Sequence, residues 1–168
     1  MSKHQTVIGV ISDTHIPTRS RMIPEKVFDV FKDVDLIVHA GDLVNATVLK
    51  ELKKLGPVVG VYGNMDPPEV RRELPEVKEL ELHGKKLGIM HDPGVFSGRG
   101  RMERLAKERG FDVLIFGHTH RAQSEEKEGI LYFNPGSATN PLPPFVTKPS
   151  VGKLMVSPDG VEASIIKI

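Results

Sequence analysis

Cysteine is absent from the chain, which rules out a disulfide framework and a thiolate metal site. That absence fits a reducing compartment, and the expected location is the cytoplasm. An excess of charge is missing too. The 23 basic and 22 acidic side chains leave a formal net charge of +1, so bulk attraction makes no strong case for nucleic acid as a partner. Long apolar runs are also lacking: none approaches the ~18 residues of a membrane helix. The first apolar run, Val7 to Ile11, follows the polar Met1 to Gln5 and is too short for a secretory signal. No membrane association and no targeting segment are therefore expected. With 168 residues and neither repeat nor linker, one domain spanning 1–168 is expected.

What is present is an alternation of apolar runs and amphipathic stretches. Thr6 to Ser12 is β-branched and continuous, as suits a central strand buried on both faces. Pro24 sits at a first helical position before Val27, Phe28 and Phe31. Asp35 to Ala40 reads as a second strand. Asn45 is the expected N-cap of a helix whose stripe is Val48, Leu49, Leu52 and Leu55. Val58 to Tyr62 is a third strand, and Pro67-Pro68 opens a short helical or irregular piece to about Leu74. This alternation predicts parallel crossovers. The second half predicts a hairpin around His83-Gly84-Lys85, a helix over about 99–109 stopped by Gly110, and a buried strand over 112–116. Two further hairpins turn at Lys127-Glu128-Gly129 and Pro158-Asp159-Gly160.

Five of the apolar runs end in residues that bind metals: Asp13 and His15, Asp42, Asn64 with Asp66, His91 with Asp92, and His118 with His120. Ligands in open α/β sheets bind beyond the carboxyl ends of the strands. A single aspartate or histidine there is most simply a cap or a satisfied core group. Five clusters on one edge of one sheet instead predict convergence on one two-metal site, with Asp42 between the ions. Imidazole and carboxylate together suit Mn, Fe, Ni or Zn better than Mg or Ca.

In their order and spacing, Asp13-X-His15, Gly41-Asp42, Gly63-Asn64, His91 and Gly117-His118-X-His120 resemble the calcineurin-like metallophosphoesterases. The short length and Asn134-Pro-Gly-Ser137 resemble their small single-domain phosphodiesterase branch. The resemblance implies an α/β fold, a four-layer αββα sandwich of two mixed β-sheets flanked by helices. It implies two divalent transition-metal ions per chain, one on Asp13, His15 and His120, the other on Asn64, His91 and His118, with Asp42 bridging. Asp42, Asn64 and His91 would take part in the hydrolytic step. The implied activity is hydrolysis of a small phosphodiester by an activated hydroxide. A phosphomonoesterase, a nuclease or a protein-binding scaffold like a retromer subunit are the alternatives, and homo-oligomerisation is left open.

Several neighbours keep two readings. His39 either orients Asp42 or is a plain buried polar group. Asp92, where the family usually has glycine, either supports a metal-bound imidazole or holds a turn. Arg19, Arg21, Arg99 and Arg101 are candidate phosphate contacts or ordinary surface residues. Asn134 is expected to hold a turn rather than a metal. Met65 stands where many family members carry a histidine, so the source of a proton for the leaving group is open, with Asp66 a remote candidate.

Overall fold

The structure, a computed structural model, describes residues 4–94, 100–143 and 147–168. The chain alternates first: Thr6–Ile11 (β1), Glu25–Phe31 (α1), Leu36–His39 (β2), Thr47–Lys53 (α2), Val58–Gly60 (β3) and Pro68–Glu73 (α3). The three strands pair in parallel, with Val10 opposite Val38 and Val38 opposite Val59. Val77–Leu82 (β4) and Lys85–Met90 (β5) form an antiparallel hairpin. Its two turn residues, His83 (φ 52°) and Gly84 (φ 76°), are both left-handed, as the twist of a two-residue hairpin requires. Gly100–Arg109 (α4) leads to Val113–Ile115 (β6), then the hairpin of Ala122–Lys127 (β7) and Ile130–Pro135 (β8). Ser150–Ser157 (β9) and Gly160–Lys167 (β10) close the chain.

These strands make two mixed sheets, β10-β9-β1-β2-β3 and β4-β5-β6-β8-β7. The alternation of side chains across each strand explains how they stack. Val10 and Val38 of one sheet meet Leu87, Ile89, Val113, Ile115 and Phe133 of the other in a core between the sheets. The opposite faces are covered by helices. Ile37 lies under Val27, Phe31, Val48, Leu49, Leu52 and Val70 from α1, α2 and α3. Met90, Leu114 and Tyr132 lie under Met102 and Ala106 of α4. The result is the αββα sandwich that the resemblance implied.

Two details differ from the expected local structure. Pro24 is not the first helical residue; it precedes α1 with an extended ψ of 135°. At α2 the assigned cap is Ala46, which makes no side-chain bond, but Asn45 Oδ1 accepts the Thr47 N–H at 2.9 Å. Asn45 therefore satisfies an orphan donor of the first turn from one residue outside the boundary.

Candidate metal centre

The parallel strands of both sheets deliver their carboxyl ends to one edge. Asp13 and His15 follow β1, Asp42 follows β2, Asn64 follows β3, His91 follows β5, and His118 and His120 follow β6. Much of this backbone is left-handed: φ is 53° at Asp13, 44° at His15, 59° at Asp42, 72° at His118 and 58° at His120. Val44, with φ 73°, is the least comfortable, because a β-branched side chain crowds that conformation. Such residues persist only where surrounding bonds over-determine them. Here the loops after β1 and β2 are laced together by Asp13 N–H to Gly41 O (3.0 Å), His15 N–H to Asp42 O (3.0 Å) and Ile16 N–H to Leu43 O (3.1 Å). Gly41, at φ 96°, admits no side chain, since a Cβ there would lie 2.6 Å from His91 Nδ1.

Two groups of side chains converge. Asp13, His15 and His120 bring one ligand atom each within 4.8 Å of one another, and so do Asp42, His91 and His118. Asp13 is fully buried. Its Oδ2 accepts the Ser12 hydroxyl (2.7 Å) and the His118 N–H (3.1 Å). Its Oδ1 has no hydrogen-bond partner and lies 3.4 Å from His120 Nε2 and 3.7 Å from His15 Nε2. His15 Nε2 is likewise buried without a partner. An unpartnered carboxylate oxygen facing an unpartnered imidazole nitrogen is costly unless a cation sits between them. Asp42 divides its oxygens: Oδ1 accepts the Met65 N–H at 2.8 Å, while Oδ2 lies 3.1 Å from His91 Nε2 and 3.5 Å from His15 Nε2, between the two groups. Asn64 Oδ1 is 3.0 Å from both His91 Nε2 and His118 Nδ1. His91 Nδ1 donates to Ala40 O (2.8 Å) and His120 Nδ1 to Asn140 O (2.6 Å), which turns Nε2 of each ring inward as a ligand needs. The donor set therefore fits two divalent ions.

The charge pattern agrees. Burial alone would raise the Asp13 carboxyl, but the close His120 and His15 imidazoles and the nearby His91 charge hold it far below the carboxylate range. Burial would likewise raise Asp42, and the bond and charge of His91 lower it. Burial opposes protonation of His91, yet Asp42 and Asp13 hold its pKa up at about 9 without an ion. The cleft thus prefers positive charge against two ionised carboxylates.

The neighbouring residues resolve as follows. His39 does not touch the Asp42 carboxylate. Its Nδ1 accepts the Gly41 N–H at 3.1 Å, which leaves Nε2–H to donate to Thr14 Oγ1, also at 3.1 Å. It fixes the backbone turn before Asp42. Asp92 Oδ1 accepts the Gly94 N–H at 2.8 Å, the turn role of its two readings. Asn134 also holds a turn: Oδ1 accepts the Gly136 N–H, and Nδ2 donates to Gly117 O and Thr119 Oγ1. Arg19 lines the cleft with His15, Asp42 and His118. Arg101 lines a pocket beside Asn64 and His91 and is paired with Glu76 at 2.6 Å. Arg21 faces a separate groove between α1 and α2, and Arg99 lies outside the described residues. Asp66 does not suit the role of acid. Its Oδ2 accepts the N–H groups of Asp42 (2.9 Å) and Gly63 (2.8 Å), and its Oδ1 that of Val44 (2.6 Å). Ser137, whose Oγ donates to Asp13 O at 2.8 Å, and Arg71 are supporting residues whose contacts no spacing pattern marks.

Burial lowers the His39 pKa from 6.5 to about 3, with smaller opposing effects of Asp13 and Asp42. The unfolded chain then takes up a proton below pH 6.5 that the folded chain refuses, so this residue's contribution to stability falls as pH drops from 6.5 towards 3. By pH 5 the loss is about 2 kcal/mol. Urea unfolding of ion-free protein at pH 7 and pH 5 should show wild type losing about that much more than His39→Gln. Parallel losses would contradict a neutral His39.

A family model described as the calcineurin-like phosphoesterase superfamily domain matches residues 7–154, which include every strand end that contributes to the cleft. A probable metallophosphoesterase from Methanothermobacter thermautotrophicus is 44% identical over 164 residues, covering 96% of this chain and 92% of that protein. A protein named phosphodiesterase from Methanocaldococcus jannaschii is 30% identical over 141 residues, covering 77% and 82%. Among solved structures, Vacuolar Protein Sorting 29 from Cryptosporidium parvum superposes with a TM-score of 0.81 at 23% identity, covering 99% of this chain and 100% of that one, a likeness of fold alone. With the sequence match and the architecture in agreement, the chain belongs to the calcineurin-like phosphoesterase superfamily.

Proposed function

We propose that this phosphoesterase hydrolyses phosphodiesters with two divalent transition-metal ions. Asp13, His15 and His120 would hold one ion, Asn64, His91 and His118 the other, and Asp42 would serve both. The observation that carries this reading is the position of Asp42 Oδ2, 3.1 Å from a histidine of one group and 3.5 Å from a histidine of the other. When bound, such a pair supplies Lewis acidity towards the phosphoryl oxygens and a water nucleophile at neutral pH.

The chain's own residues do the rest. The Ala40 and Asn140 carbonyls hold the His91 and His120 rings in one orientation. The Met65 N–H holds Asp42 Oδ1, leaving Oδ2 for the ions. Asn64 offers a neutral oxygen, and Asp13 and Asp42 are the only carboxylates in the two groups, so a pair of divalent ions keeps positive charge for a phosphate anion. Arg19 on the cleft wall adds to that attraction. The identity to a named phosphodiesterase supports a diester over a monoester.

Chelator-stripped protein should show no hydrolysis of bis(4-nitrophenyl) phosphate, and Mn or Ni should restore it, with about two ions bound per chain. Faster turnover of 4-nitrophenyl phosphate would assign the monoesterase alternative. Protein that binds no metal and stays inactive with every ion added would belong with the scaffolds.

A further inference from the structure

The Gly63-Asn64-Met65-Asp66 loop is held from two sides. Inside, both carboxylate oxygens of Asp66 are used to collect backbone donors: Oδ2 takes the N–H of Asp42 at 2.9 Å and of Gly63 at 2.8 Å, and Oδ1 takes that of Val44 at 2.6 Å. Two of those three donors, Asp42 and Val44, lie in the left-handed segment after β2. Outside, Arg71 of α3 grips the loop's carbonyls. Its Nε donates to Asp66 O at 2.8 Å, and one terminal nitrogen donates to Asn64 O at 3.0 Å. Its guanidinium lies 5.0 Å from the centre of the Tyr62 ring, which fixes its plane. Between the two grips, Met65 N–H reaches Asp42 Oδ1 and Asn64 Oδ1 reaches His91 and His118. The loop has no slack, since a Cβ on Gly63 would meet the Asp42 amide nitrogen at 2.6 Å.

We propose that Asp66 and Arg71 are positioning residues that form a two-sided clamp. The clamp sets the distance between Asn64 and Asp42 and so sets the affinity for the ion on the Asn64, His91 and His118 side. This rests on the two-ion reading above. The selectivity follows from the topology. The Asp13 and His120 side chains are held by other bonds, from Ser12, His118 and Asn140, none of which passes through Asp66 or Arg71. Asp66 reaches the β1 loop only through its backbone lacing to Gly41, Asp42 and Leu43, whereas Arg71 bonds Asn64 directly. An amide at position 66 replaces one acceptor by a donor, so an N–H group of the β2 loop or of Gly63 then faces another donor. Met at position 71 keeps the length of the stem and removes the donors.

The test is titration of chelator-stripped full-length protein with Mn²⁺, followed calorimetrically and by the electron paramagnetic resonance signal of coupled manganese pairs. Changes in partners behind metal ligands typically cost about 10–100-fold in affinity. Asp66→Asn and Arg71→Met should each weaken the second Mn²⁺ by about tenfold or more, leave the first within about twofold, and lose the coupled-pair signal at Mn²⁺ levels that give it in wild type. Asp112→Asn, which removes a carboxylate–backbone bond to Lys86 at the far ends of β5 and β6, should leave both constants unchanged. A purely structural role would lower the unfolding temperature and leave the constants alone, and that result overturns the clamp. Equal weakening of both ions overturns it as well. If Asp66→Asn does not fold, Arg71→Met decides alone. Wild-type protein that takes up fewer than two Mn²⁺ overturns the two-ion reading and the clamp with it, whereas two ions in wild type with unchanged variants overturn only the clamp.

Discussion

Asp42→Asn is expected to lower phosphodiester turnover by about 10³-fold or more, a loss of about 4 kcal/mol of transition-state stabilisation. Asp13→Asn is expected to cost less. The two carboxylates are built differently. Asp13 spends Oδ2 on the Ser12 hydroxyl and the His118 N–H, and its free Oδ1 faces chiefly His15 and His120 of one group. Asp42 spends Oδ1 on the Met65 N–H and points Oδ2 between His91 and His15, one from each group. On the two-ion reading, an amide at position 42 keeps the shape and removes a charge that both ions would share, so two divalent cations would face each other across a poorly screened gap. One ion should then be lost or held weakly. Metal content by plasma mass spectrometry, with kcat/KM on a nitrophenyl diester, checks both parts. Equal losses of metal and rate in the two variants would show that Asp42 belongs to one ion only.

The elements were legible in the sequence because their signals are local. Continuous β-branched runs end in Asp13 and Asp42, and the helical stripe Val48, Leu49, Leu52 is a period that folding did not overturn. The alignment of the ends of β1, β2 and β3 was legible for a topological reason, since parallel strands in one layer end on the same side. The clusters were expected on one sheet, however, and His91, His118 and His120 come instead from β5 and β6 of the second sheet. The placement of β9 and β10 was not legible. Their own hairpin could be read from Pro158-Asp159-Gly160, but nothing in 150–167 says that the pair would run antiparallel beside β1, with Gly152 opposite Val10. The supporting shell was illegible for a related reason. The Asp66 carboxylate serves donors on Asp42 and Val44, more than 20 residues earlier in the chain, and His39 serves Gly41 and Thr14 rather than the carboxylate three positions on. A side chain that bonds to distant backbone leaves no periodicity behind, so it looks the same in sequence as any buried polar residue.

Met65 carries the other large expected effect. It is 58% exposed and lines the cleft with Asp42, Asn64, His118 and His120, where a thioether has no proton to give a leaving oxygen. Asp66, His91 and His120 do not replace it. Both Asp66 oxygens are occupied by backbone donors, and the Nδ1–H groups of His91 and His120 are committed to Ala40 O and Asn140 O while Nε2 of each faces the other ligands. Arg19 on the cleft wall can stabilise charge. The leaving oxygen must then depart largely unprotonated, so wild-type rates should fall steeply as leaving-group pKa rises, from nitrophenyl to alkyl diesters. General acid catalysis is worth about 10²–10⁴-fold, and only poor leaving groups need it. Met65→His should therefore speed alkyl diesters by about 10²-fold, change nitrophenyl diesters little, and flatten the dependence on leaving-group pKa. The backbone N–H at position 65 stays in place for Asp42 Oδ1, so the variant tests the side chain rather than the loop. A graded series of aryl and alkyl diesters, with chemistry shown to be rate-limiting by single-turnover kinetics, decides the matter. A wild-type rate that barely varies across the series would mean that another group already delivers the proton.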